Sequence, residues 1–355
     1  MNLDTDLRAF LSPGQILTRP IDRVAFASDA SFYRLIPQAV VQPRTLDEVR
    51  ALFDYSRKVR IPLCFRAAGT SLAGQAITDG ILVDVSRYWR KIEVEEGGLK
   101  IRLGPGVVGS DANLALKPFA RRIGPDPASI DAAMLGGMVA NNASGMCCGV
   151  VENSYHTLAS LTFMLPNGVT IDTAAPDARQ RFEEQAPEVV RGLLELRAEI
   201  LANPGLVERI RAKYRQKNTT GYSLNAFLDF DSPEQLFAHL LVGSEGTLGF
   251  IAEVVLHTLP AYPLKYTALL LFETVRDAAA AVFPLRDSGA RAIEIMDRAA
   301  LRSVENEPGI AELLYGLPES AAGLLVEYQT ETDSELEAFK EAATRVCASL
   351  RLLRP

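Results

Sequence analysis

At 355 residues, 48% of them apolar and 23% charged, the chain can bury a sizeable core and form two domains, or one large domain with an appendage. Its net charge of -7 gives no electrostatic reason to expect nucleic acid or an anionic membrane as partner. No apolar run approaches the roughly 20 residues that span a bilayer, and the N-terminus MNLDTDLRAF lacks the basic and apolar regions of a signal peptide.

Residues 1–36 read as an irregular lead-in with one or two short helices. Pro43 and Thr45 then open a helix, with Thr45 as N-cap, Glu48 completing a capping box, and Leu46, Val49, Leu52 and Phe53 as its apolar stripe. A strand over 61–65 follows and delivers the chain into the loop RAAGTSLAG at 66–74. Another strand is expected at 81–85, and Glu96-Gly97-Gly98 marks a hairpin within 91–103. A short helix at 111–119 precedes the turn at 125–129 and the small-residue stretch MLGGMVANNASG at 134–145.

Asn167-Gly168 between apolar runs at 158–165 and 169–172 predicts a type I′ hairpin turn. One or two amphipathic helices fill 187–213, and Ser232 with Pro233 opens another. GSEGTLG at 243–249 leads into a strand at 251–257. After Pro260 the pattern predicts strand 266–272, helix 275–286, strand 291–296, a helical stretch near 299–304, strand 323–328 and helix 334–350. The last five residues carry no assignment. A half-built antiparallel sheet with an uncovered edge is expected, as in part of a longer chain.

Four loops of one character stand at strand ends: 66–74, 125–129, 134–145 and 243–249. Glycines at 136, 137 and 145, with Ala140, Ala143 and Ser144, let a flat ligand approach the backbone, and the intervening amides can point at an anion. Any one of them alone reads equally well as a plain turn. Together they suit a long groove for a dinucleotide, with amides for the pyrophosphate and flat walls for the rings. Neither a P-loop nor a Rossmann fingerprint is present. The cysteines Cys64, Cys147, Cys148 and Cys347 form no Cys-x-x-Cys pattern, so no metal site is expected and the thiols should be reduced.

RAAGTSLAGQ, DPAS, GGMVANNASG and GSEGTLGFIAEV, in that order and spacing, resemble the FAD-linked oxidase family of the vanillyl-alcohol oxidase type, in its D-lactate, glycolate and D-2-hydroxyglutarate dehydrogenase branch. NNASGMCCG with NSYHTL, and later MDRAALRSV, is similar to the subgroup in which an iron–sulfur region follows the flavin part. The resemblance covers roughly 37–304. It implies an α+β fold: after the lead-in (1–36), a PCMH-type FAD-binding domain of two α/β subdomains (37–262), then a partial, truncated antiparallel-sheet cap or substrate domain (263–355).

The same resemblance implies FAD as cofactor, non-covalent because the first loop holds Thr70 and no histidine. Ala67, Ala68, Gly69, Thr70, Ser71, Leu72, Ala73 and Gly74 would wrap the pyrophosphate, with Gly69, Thr70 and Ser71 closest, and Arg66 and Gln75 are the flanking cofactor-binding residues. Pro127, Ala128 and Ser129 would lie along the ribityl and isoalloxazine. Met134, Gly136, Gly137, Asn141, Ser144 and Gly145 would continue the cradle, and Glu245, Gly246, Gly249 and Ile251 would meet the adenine or ribose end. Tyr222 is the expected substrate contact.

The implied reaction is oxidation of a small D-2-hydroxy acid by hydride transfer to FAD. Electrons would pass to an acceptor other than NAD: a quinone, a cytochrome or an iron–sulfur partner. The protein would be cytoplasmic, or peripheral at the inner membrane. The branch's His-x-x-x-Gly-x-Gly-Asn-x-His segment and Glu-His pair do not occur in this chain. No catalytic residue is therefore assigned, and the base, any divalent metal and any iron–sulfur cluster are expected in sequence outside it. His156, His239 and His257 are scattered and read as structural, and Cys147 and Cys148 as small side chains beside a cofactor. Arg66 suits either an anion or the buttressing of its own loop. Arg291, Arg298 and Arg302 suit either a carboxylate or surface ion pairs. Rival readings are a non-catalytic FAD-binding subunit that needs a partner, an NADPH-dependent reductase of the same fold like the UDP-N-acetylenolpyruvoylglucosamine reductases, and a nucleotide-binding module without flavin.

Overall fold

A computed structural model describes residues 3–354. The chain divides into two compact units, Met1–Pro260 and Ala261–Pro355.

The first unit opens with a four-stranded sheet of β1 (Ile16–Leu17), β2 (Ala39–Val41), β3 (Leu63–Arg66) and β4 (Ile81–Asp84), in the order β1-β2-β4-β3. β4 runs parallel to both neighbours, β2 and β3, and β1 is antiparallel to β2. The helix Leu46–Val59 connects β2 to β3. Thr45 caps it by accepting from the Glu48 amide at 3.2 Å, and Arg60 ends it in the left-handed region at φ 57. The Glu48 carboxylate does not return to the cap residue as a capping box requires. It accepts instead from the Arg44 amide and from Gln15 Nε2 at 2.8 Å, which ties the helix to the segment before β1. Val49 and Leu52 are fully buried on the apolar face.

The second sheet is antiparallel: β5 (Ile92–Glu95), β6 (Lys100–Leu103), β10 (Phe250–Pro260), β8 (Leu158–Met164) and β9 (Thr170–Asp172) in that order, with β7 (Arg121–Ile123) also on β10. β8 and β9 form the expected hairpin, but its turn is not type I′. Leu165 and Gly168 bond across it (Leu165 N to Val169 O and Gly168 N to Leu165 O, both 2.8 Å), and only Gly168 has positive φ, at 87. This is a three-residue loop ending in a left-handed glycine. The preceding Pro166 fixes a negative φ and extends the loop by one residue. Helices Ala178–Gln185, Pro187–Leu201 and Pro233–Leu241 cover the sheet, and Phe163, Phe182 and Phe237 meet there with ring centres 4.9–5.7 Å apart. Burial of each such ring contributes about 1.5–3 kcal/mol.

The second unit is a four-stranded antiparallel sheet, β11 (Leu264–Phe272), β12 (Ala292–Met296), β13 (Ala322–Thr330) and β14 (Leu352–Arg354), ordered β12-β13-β11-β14. Strand periodicity decides the faces. Leu270 and Phe272 pack with helices Val275–Asp287 and Asp333–Cys347, while Leu269 and Leu271 face Leu301 and Leu314. β14 corrects the expectation of an unassigned tail: Phe272 pairs with Leu352 and Leu271 with Arg354, so part of the β11 edge is covered. Three residues are too few for periodicity to declare a strand.

Candidate functional site

β3 runs parallel to β4 and ends at Arg66, and the chain leaves that strand end through residues 67–74. Gly69 and Gly74 take φ of 72 and 79, values that cost a side chain-bearing residue and cost glycine nothing. Arg66 lies under this loop. Its Nη1 donates to the carbonyls of Ser28 (2.8 Å) and Phe26 (3.3 Å), its guanidinium stands over the Phe26 ring, and a Cβ on Gly69 would come within 2.5 Å of Nη2. Of the two roles open to Arg66, the hydrogen bonds are those of a buttress.

The second and third loops are built against each other. Asp126 accepts from the amides of Gly145 (2.9 Å), Cys147 (3.0 Å) and Cys148 (3.1 Å). The Gly145 amide is thereby committed within the protein. Helix Leu135–Asn141 starts with the Gly136 amide on the Pro105 carbonyl (2.9 Å), and a Cβ there would press on Pro105 at 2.6 Å. At Gly137 a Cβ would meet nothing nearer than Ala67 at 4.0 Å. Asn142, at φ 54, ends this helix and accepts from the Tyr155 amide.

The fourth loop is laced to that helix end. Gly243 N bonds Val139 O (3.1 Å), Glu245 N bonds Ala140 O (2.8 Å), and Asn141 Nδ2 donates to Glu245 Oε1 (2.5 Å). Glu245 itself sits at φ 53, where a non-glycine residue is uncommon. Burial pushes its carboxyl pKa up, against the lowering effect of the Asn141 hydrogen bond.

A single groove of about 560 Å³ results, within the first unit. Ligand pockets span roughly 300–1,000 Å³. Phe65, Val85, Phe250 and Ile251 give it apolar wall. Arg66 to Ala73 and Gln75 line it, as do Pro127, Ser129, Met134, Gly136, Gly137, Asn141, Ser144, Glu245, Gly246 and Gly249. Of the residues singled out from sequence, Gly74, Ala128, Gly145 and Tyr222 are not among its lining. Gly74 packs on Tyr33, and the Tyr222 hydroxyl pairs with Thr247 Oγ1 at 2.9 Å.

A fifth segment, NTTGYSL at 218–224, from which the resemblance implied Tyr222 alone, reaches the groove instead through Thr219 and Thr220, with Lys217 just before it. The signal available was NTTGY, whose Gly221 takes φ 76. Tyr214 closes this segment by donating to Tyr222 O (2.6 Å) and accepting from Leu224 N (3.0 Å).

None of the three histidines lines the groove. His239 is buried, stacks on Phe230 at 3.9 Å and bonds Gln235 O through Nδ1; burial drives its pKa down to about 4. His156 is exposed with Nδ1 on Asn153 Oδ1, and His257 is exposed on β10. All four cysteines are free thiols. Burial first, and Asp126 second, raise the Cys148 thiol to about 12, which leaves it protonated and inert at neutral pH. In the second unit Arg298 pairs with Glu305 (2.8 Å) and Arg302 with Glu319, and the Arg291 guanidinium stands 4.7 Å over the Tyr262 ring. Among the described residues, no three His, Cys, Asp or Glu are grouped to hold a metal ion. Among them, too, no helix is long and apolar enough to cross a membrane.

Comparison with known proteins agrees with this geometry. Residues 37–174 match the FAD binding domain family, and residues 263–352 match the C-terminal domain of FAD linked oxidases. The chain is 28% identical over 361 residues to a D-2-hydroxyglutarate dehydrogenase of Pantoea ananatis, covering 96% of this chain and 34% of that protein. To the D-2-hydroxyglutarate dehydrogenase of Haemophilus influenzae it is 31% identical over 271 residues (72% and 26%), and to the glycolate oxidase subunit GlcD of Escherichia coli 28% over 280 residues (78% and 46%). The chain thus spans between a quarter and a half of the length of these relatives. Among solved structures, an alkyldihydroxyacetonephosphate synthase shares the fold, with a TM-score of 0.65 at 17% identity over 97% of this chain and 61% of that one.

Proposed function

This chain belongs to the FAD-linked oxidase family, and on that premise we propose that its groove holds FAD non-covalently and serves the oxidation of a small D-2-hydroxy acid, such as D-2-hydroxyglutarate, D-lactate or glycolate. The observation that carries the reading is the convergence of four small-residue loops, from distant parts of the first unit, on one groove.

The residues present fit a flavin dinucleotide. The left-handed Gly69 and its neighbours Thr70 and Ser71 offer loop amides to a pyrophosphate, and Arg66 keeps that loop in place from behind. The open face at Gly137 admits close approach of a flat group to backbone, and Phe65, Val85, Phe250 and Ile251 give it apolar wall. The first loop holds Thr70 and no histidine, the residue a covalent link would use, which supports a dissociable cofactor.

When bound, FAD would supply a two-electron acceptor for the hydride of the substrate carbon. The protein's part at the groove is to bind and orient it. No histidine lines the groove, so a histidine base would have to come from outside that lining. Electrons would leave to a quinone, a cytochrome or an iron–sulfur partner, in the cytoplasm or at the inner face of a membrane.

Anaerobic mixing of the FAD-loaded protein with each hydroxy acid tests the proposal. Bleaching of the visible flavin band by a D-2-hydroxy acid is the expected result. Bound flavin bleached by NADPH and not by any hydroxy acid would replace the substrate class. Bound flavin unresponsive to both would leave this chain a flavin-binding part that depends on a partner for turnover.

A further inference from the structure

Two cationic side chains line the groove, Arg66 and Lys217, and the structure holds them differently. Arg66 is held beneath its loop by two bonds from Nη1, to the carbonyls of Phe26 and Ser28, and by its guanidinium lying over the Phe26 ring. Lys217 is exposed, and its ammonium donates to the carbonyl of Ser144 at 2.8 Å, a neutral acceptor on a neighbouring groove loop. Among the described residues, no ion pair involves Lys217. A lysine bonded to a neutral carbonyl can exchange that bond for a stronger one to an anionic oxygen.

Its placement is not that of a free surface lysine. The segment carrying it is closed by Tyr214 on Tyr222 O and fastened to the fourth loop by Tyr222 on Thr247 Oγ1. Glu245 lines the same groove, and burial favours its neutral form. A local cation favours entry of an anionic ligand into a chain of net charge -7, beside what the loop amides offer.

We propose that Lys217 is the counter-ion of the groove: on ligand binding its ammonium turns from the Ser144 carbonyl to an anionic oxygen of the ligand, either a phosphate of the dinucleotide or the carboxylate of the hydroxy acid. The inference rests on the reading of the groove as an FAD site.

The test titrates apo-protein with FAD, ADP and riboflavin, and FAD-loaded protein with 2-oxoglutarate by its perturbation of the flavin spectrum. Wild type is compared with Lys217→Met, Lys217→Arg and the control Lys213→Met. If the anion is phosphate, Lys217→Met weakens FAD and ADP by roughly 10- to 100-fold and leaves riboflavin unchanged, with Lys217→Arg in between. If it is the substrate carboxylate, FAD affinity stays as in wild type and 2-oxoglutarate weakens by a similar factor. Lys217→Met within twofold of wild type for every ligand overturns the inference while leaving the FAD reading intact. Wild-type protein that takes up neither FAD nor ADP overturns both.

Discussion

Asp126 holds Gly145 twice over: the Gly145 amide donates to the Asp126 carboxylate at 2.9 Å, and the two backbones lie so close that a Cβ on residue 145 would fall 1.7 Å from the Asp126 carbonyl oxygen. The same carboxylate accepts from Cys147 and Cys148. One acidic side chain therefore folds residues 145–148 back on the second groove loop and fixes where Ala143 and Ser144 line the groove.

Replacing Asp126 with Asn removes one acceptor oxygen and puts a donor among amides that are already donors. Stability should fall by about 1–3 kcal/mol, and FAD affinity should fall with it. Gly145→Ala should cost a similar ~1–3 kcal/mol through overpacking against backbone. Urea melts of apo-protein and FAD titrations check both. Asp126→Asn with wild-type stability and affinity would show that the loop holds without this carboxylate.

Gly137 separates fold from ligand. It lies in helix Leu135–Asn141, and a Cβ there would have only Ala67 nearby, at 4.0 Å. Gly137→Ala should stabilise the apo-protein by up to about 1 kcal/mol through helix propensity. Gly137→Leu should keep the melting temperature and lower FAD affinity at least ~10-fold, the effect of a side chain standing in the groove. Equal FAD binding by Gly137→Leu and wild type would place the flavin elsewhere.

His239 should set an acid limit to stability. Its pKa drops from 6.5 to about 4 in the folded protein, chiefly by burial, with His156 adding to the fall and Gln235 O and Asp229 opposing it. The unfolded chain then binds the extra proton first, so stability is full above about pH 6.5 and falls as pH drops toward 4, by up to roughly 3 kcal/mol. His239→Gln should flatten that slope in urea melts taken across pH 4–7.

Glu245 should act in the opposite sense. Its raised pKa means the folded protein holds a proton longer than the unfolded chain, so this group costs stability as pH rises past the ordinary glutamate value of 4.5. Glu245→Gln keeps a side-chain oxygen that can accept from Asn141 Nδ2 and removes the titration. Melts of the variant should show a steeper rise with pH than wild type, since the His239 effect is then unopposed. An unchanged profile would mean the Glu245 carboxyl titrates freely with solvent.

Much of this architecture was legible because it rests on short-range chemistry. Thr45, with an acid three residues on, marked a helix start, and the amide of Glu48 does bond the Thr45 side chain. The Glu48 carboxylate went elsewhere because Gln15, 33 positions away, competes for it, which no local pattern reveals. The Asn167-Gly168 turn differed because Pro166 enters the loop. The glycine loops were readable because positive φ and close packing leave glycine little substitute. Lys217, Thr219 and Thr220, unlike Tyr222 of the same stretch, carried no expectation, because they are placed at the groove by the Tyr222–Thr247 and Lys217–Ser144 bonds between distant segments. Gly145, placed by its motif among the cradle residues, gives its amide to Asp126, a tertiary pairing invisible from the motif alone.

The central claim is that this groove holds dissociable FAD. A visible absorption spectrum of the purified protein, before and after acid precipitation, tests it most directly. The account predicts a yellow protein whose colour passes into the supernatant. Colour retained in the pellet would contradict a non-covalent flavin, and a colourless protein that also fails to take up added FAD would contradict the assignment of the groove itself.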